Sequence, residues 1–89
     1  MGLFKKLFGN KTDEINALAR EGSIASIVKL IKMQGKAAKS GDIATLKIIT
    51  SALKAHVPSE LYIMAGETLP MNEQVEIASA VSKYRDVLS

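Results

Sequence analysis

The chain has 89 residues, 47% of them hydrophobic, with two prolines, no cysteine and a formal net charge of +3. That is one domain's worth of polypeptide with enough apolar content for a core. The missing cysteine excludes disulfides and thiolate metal sites and fits a cytoplasmic protein, the mild basic bias falls short of a nucleic-acid signature, and no apolar run approaches the ~18–20 residues that span a bilayer.

Residues 1–9 form a distinct opening segment. Leu3, Phe4, Leu7 and Phe8 fall on an arc of about 140° if helical, with Lys5 and Lys6 opposite. The lysines split the apolar residues, unlike a secretory signal, and Lys6 stands where myristoylation requires Ser or Thr. Three readings follow. The segment folds back and plugs the helices, lies on a membrane surface with its lysines on anionic head groups, or docks to a partner.

Gly9-Asn10 closes that segment, and residues 12–57 read as a helical hairpin core. Thr12 is the expected N-cap of the first helix, followed by Asp13 and Glu14 at the positive end of its dipole and by Ile15, Leu18 and Ala19 at helical spacing. Gly22 ends it and Ser23 caps the next helix, whose stripe is Ile24, Ile27, Val28 and Ile31. Gly35 weakens this helix by about 1 kcal/mol relative to Ala, so the helix either kinks or breaks there or continues through it. After Gly41, Asp42 caps a third helix in which Ile43, Leu46, Ile49, Thr50, Leu53 and Val57 share an arc of about 120°, and Pro58 stops it.

Residues 59–89 are less regular. Leu61-Tyr62-Ile63-Met64 suits a short helix or a strand, since four apolar residues do not fix a period. A last helix is expected from Asn72 to the carboxyl end, on the stripe Ile77, Val81, Tyr84 and Leu88.

A duplication ties the core together. Ala19-Arg20-Glu21-Gly22-Ser23-Ile24-Ala25-Ser26-Ile27 aligns with Ala38-Lys39-Ser40-Gly41-Asp42-Ile43-Ala44-Thr45-Leu46 at an offset of 19 residues. Each copy spells helix end, glycine reversal, capping side chain and new amphipathic helix, which is a tight αα-turn. The stretch from Ala37 to Leu46 resembles the inter-helix turn of ankyrin-type repeats. The resemblance is one of capping physics, because the period is too short and the rest of that unit is missing. The expected fold is all-α: one compact bundle of four to five short helices built from αα-hairpins.

Nothing in the sequence assembles a catalytic, cofactor or metal site. His56 reads as a helix-end histidine favoured by the dipole, and Glu73 and Glu76 as acids in the first turns of their helix. The glycines are scattered and form no phosphate-cradling loop.

The surfaces carry more information. Lys29, Lys32, Lys36 and Lys39 span an arc of about 80° if their helix continues through Gly35, and Lys47 and Lys54 lie one heptad apart on the next. Leu30, Met33 and Ile48 lie off the main apolar stripes, and Met64 and Met71 flank the irregular segment. A helix apolar on two sides is central or faces a partner. The function these features predict is a small non-enzymatic regulatory or adaptor module that binds an acidic protein. Its contact set is Lys29, Lys32, Lys36 and Lys47 for steering, with Leu30, Met33 and Ile48 for apolar contact. Self-association fits the same face. The alternatives are peripheral membrane association through Leu3 to Phe8 and non-specific nucleic-acid binding through the lysines.

Overall fold

The computed structural model describes residues 10–88. They form six helices: α1 (Asn10–Glu21), α2 (Ile24–Ser40), α3 (Ile43–His56), α4 (Ser59–Glu67), α5 (Met71–Ser82) and α6 (Arg85–Leu88). The chain is an all-α bundle, with α2 at its centre in contact with α1, α3, α4 and α5.

The two glycine junctions fold as their residues dictate. Gly22 and Gly41 adopt φ of 68° and 75°, the left-handed conformation that a side chain would strain. At the first, the Ser23 hydroxyl accepts the Ser26 amide at 3.1 Å, and the Ser26 hydroxyl donates to Glu21 Oε1 at 2.6 Å. At the second, the Gly41 amide donates to Ala38 O and the Asp42 amide to Ala37 O, which satisfies the last carbonyls of α2. Asp42 Oδ1 then accepts the Thr45 amide at 3.2 Å. A glycine that reverses the chain and a short polar side chain that accepts the first free amide make each turn self-sufficient.

The structure departs from the sequence reading at Thr12 and at the last helix, and decides between the open alternatives at residues 61–64 and at Gly35. Thr12 is not a cap, since α1 is already under way at Asn10 and the Thr12 carbonyl accepts Asn16 Nδ2 at 3.1 Å. The segment around Leu61 to Met64 is helical, because Pro58 starts a helix whose first amides reach its carbonyl. The last helix stops at Ser82, and residues 83–84 turn before α6. Gly35 causes no break: α2 runs from Ile24 to Ser40 through it. A Cβ placed on Gly35 would stand 2.6 Å from Ile77 Cγ1, so this glycine is the notch in which α5 seats against α2.

Two apolar clusters hold the bundle. The larger joins Ile15, Ile27, Leu30, Ile49 and Leu53 of α1–α3 to Ala65 and Leu69. The smaller consists of Ala37, Ala38, Leu46 and Ala80, with Val81, Tyr84 and Leu88 packed against it. Small residues on α2 let α5 approach closely here, where bulkier ones would hold the helices apart.

Candidate functional site

The lysine stripe exists but is partly spent inside the molecule. Lys29, Lys32, Lys36 and Lys39 are all exposed on the unbroken α2. Lys39 is ion-paired with Glu76 of α5. Lys32 and Lys36 line a shallow groove with Glu73 and Glu76. These acids were expected to serve the α5 dipole; Glu73 does lie in its first turn, while Glu76 crosses to α2. Lys47 lines a separate groove with Asn16, Ile48 and Ser51.

The apolar members of the expected contact set are mostly core. Leu30 is 0% exposed, so it faces no partner. Met33 and Ile48 are half-buried and pack against the larger cluster. The reason is the position of α2: a helix surrounded by four others is apolar on several sides without having a binding face. Leu3, Phe4, Lys5, Lys6, Leu7 and Phe8 lie outside the described residues. His56 is exposed in the last turn of α3.

Exposure of large apolar side chains occurs elsewhere. Tyr62, Ile63, Met64, Met71, Val75 and Val87 are 37–70% exposed, and all belong to α4–α6. Met71 and Val75 are i, i+4 on one face of α5.

Beside that face runs an open cleft of about 470 Å³, floored by Ile31 and Leu69 and walled by Ile77, Ala78 and Val81 of α5. Thr50, Lys54, Tyr62 and Gly66 form its other wall. A second cleft of about 510 Å³ adjoins it, sharing Thr50, Lys54 and Tyr62 and adding Ile63. A polar relay fixes the shared wall. The Tyr62 hydroxyl donates to Gln34 Oε1 at 3.2 Å, and Gln34 Nε2 donates to Thr50 Oγ1 at 3.2 Å. Gln34 is buried at 4% exposure, so satisfying both ends of its amide locks the Tyr62 ring against α2 and α3. Burial pushes the Tyr62 phenol above its ordinary pKa, which keeps it a neutral donor.

Among the described residues, the charged residues of the two clefts are Lys54 and Arg85, and no carboxylate lines either one. Among the described residues, neither cation belongs to an ion pair. Also among the described residues, no three His, Cys, Asp or Glu side chains group as metal ligands, and no helix is long and apolar enough to cross a membrane. The spacing arguments missed this cleft because its walls come from α2, α3, α4, α5 and α6. The one local hint was methionine flanking the irregular segment.

No protein-family model, curated protein or solved structure matches the chain.

Proposed function

We propose that this protein is a small non-catalytic interaction module that binds a protein partner through the α4–α5 face and its adjoining cleft. The observation that carries the reading is the placement of the exposed large apolar side chains: among the described residues all six fall between residues 62 and 87. Complete burial of a fully exposed side chain of this kind contributes about 1.5–3 kcal/mol, and these side chains still expose 37–70% of their surface, which favours this face for docking among the described residues. Methionines at Met64 and Met71 add adaptability, since their unbranched side chains reshape to a partner. The lysine face of α2 takes a lesser part here than its spacing suggests, because Glu73 and Glu76 offset its charge.

The test compares the two faces. A photo-reactive residue is placed at Val75 or Ile63, and in parallel at Lys29 or Lys47, and adducts are mapped in cells. Protein adducts at Val75 and Ile63 that disappear with Met71→Asp support the reading, provided circular dichroism shows the bundle intact. Adducts confined to Lys29 and Lys47 return the contact to the α2–α3 face. Vesicle flotation that depends on residues 1–9, without protein adducts at either face, favours the membrane alternative.

A further inference from the structure

Resting on that reading, we propose that the occupant of the cleft is an acidic amphipathic helix, seated with an apolar side chain over Gly66 and its carboxylates on Lys54 and Arg85.

Two glycines in this bundle sit within helices at ordinary helical φ, and their comparison makes the case. Gly35 is explained by the fold: Ile77 occupies the space a Cβ would need, at 2.6 Å. Gly66 is not. Among the described residues a Cβ there would meet no atom within 4 Å, and the residue lies in the last turn of α4 on the wall of the cleft. Glycine in a helix costs up to about 1 kcal/mol relative to Ala, and no described residue requires it here. A helix of a partner crossing α4 at Gly66 would require it, as α5 requires Gly35. The α2–α5 contact is thus a template within the same molecule: a branched side chain of one helix fitted to a glycine of another.

The shape of the cleft fits a helix. From Gln74 to Ser82 its lining follows α5 for a little over two turns, or roughly 12 Å at 1.5 Å per residue, and Arg85 of α6 extends it. It is open to solvent, so it can be entered from outside the bundle. Helix-in-groove recognition uses apolar anchors at i, i+3 or i+4, and i+7, which matches that length.

The charge of the cleft fixes the sign of the partner. Lys54 and Arg85 are its charged lining residues, both exposed and neither paired with a described residue. Carboxylates flanking the apolar anchors complement them, whereas a basic helix is repelled.

The probe is a fluorescein-labelled helical peptide of about four turns, with Leu and Ile anchors and flanking Glu, alongside an isomer carrying Lys at the same positions. Affinity is read by anisotropy, and the contact is mapped by amide chemical shifts on the full chain. The expected result is binding of the Glu peptide at least about tenfold tighter than the Lys peptide, with shifts at Lys54, Gly66, Ala78 and Arg85. Arg85→Glu should reverse that preference. Gly66→Leu should weaken binding about tenfold or more while leaving the melting temperature unchanged or higher. Should Gly66→Leu fail to fold, the Arg85→Glu reversal decides alone.

Equal affinity for the two peptides overturns the acidic helix, as does no binding, binding indifferent to Gly66→Leu in a folded variant, or saturation of the cleft by a second copy of the chain. Those failures stay distinct from failure of the broader reading, because cross-linking at Val75 and Ile63 reports any protein on that face whatever its charge.

Discussion

Helices α1–α3 and helices α4–α6 solve the same problem in opposite ways. In the first three, every junction is a left-handed glycine followed by a side-chain cap, at Gly22-Ser23 and Gly41-Asp42. The five largest fully buried side chains, Ile15, Ile27, Leu30, Leu46 and Ile49, all lie there. In the last three, α4 and α5 start behind Pro58 and Pro70 without a side-chain cap bond, and the residues buried within them are Ala65 and Ala80. The first half therefore carries most of the apolar burial. The second half is laid on it as a thinner layer, with large side chains facing out. The difference teaches that buried scaffold and exposed apolar surface are separated along this chain.

The sharpest way to break that division is to truncate one apolar residue on each side. Leu30→Ala should cost about 2–5 kcal/mol in denaturant unfolding, because it opens a cavity among four helices. Val75→Ala, 57% exposed, should stay within about 0.5 kcal/mol. Comparable losses at the two positions would show that α5 is integral to the core in solution, and that its exposed face is no spare surface.

The two helical glycines give the next largest contrast. Gly35→Ala should destabilise by about 1–3 kcal/mol, because the added methyl forces Ile77 and with it α5 away from α2. Ile77→Ala should relieve most of that strain, so a double-mutant cycle reads a coupling between the two positions. Gly66→Ala should do the opposite and stabilise by up to about 1 kcal/mol, since its methyl meets open space. Equal and unfavourable effects at both sites would remove the basis for reading Gly66 as a contact position.

How much of this was legible in the sequence follows from the range of each interaction. Gly22-Ser23 and Gly41-Asp42 were readable because a cap acts over three residues: Ser23 and Asp42 bond the amides of Ser26 and Thr45. Ile27 and Ile49 were readable as core because a helical stripe declares its buried side. Leu30 was misassigned to a partner surface because a helical wheel does not say how many neighbours a helix has, and α2 has four. Whether Gly35 breaks its helix could not be read because propensity is a local quantity, while its reason is Ile77, on a different helix. The cleft left almost no trace, since Ile31, Thr50, Tyr62, Gly66 and Ile77 meet only once the helices have packed. Spacing along one helix cannot report a wall shared by five.

The junctions permit a finer test of the first half. Ser23→Ala should cost about 1 kcal/mol, because it leaves the Ser26 amide without its acceptor. It also removes the hydroxyl that donates to Ser26 Oγ at 2.9 Å. A loss well below that figure would mean that water replaces the cap and that Gly22 alone sets the turn.

The smallest effect expected is a pH dependence at the second junction. The Thr45 hydroxyl, then its amide, bond the Asp42 carboxylate, and with Lys11 they hold its pKa below the ordinary aspartate value. A group whose pKa is depressed by folding stabilises the fold above its unfolded pKa and loses that contribution as pH falls through the folded one. Acid should therefore erode the α2–α3 junction below the ordinary aspartate range. Asp42→Asn isolates the effect, because Asn caps a helix about as well as Asp and does not titrate. The parent's melting temperature should fall further than the variant's between neutral and strongly acidic pH, while the two nearly agree at neutrality. Because Asp42 is bathed in solvent, the difference should be slight and should shrink in high salt. Identical acid profiles would show that Thr45 favours the carboxylate no more in the fold than water does, and that Asp42 contributes through the geometry of its cap alone.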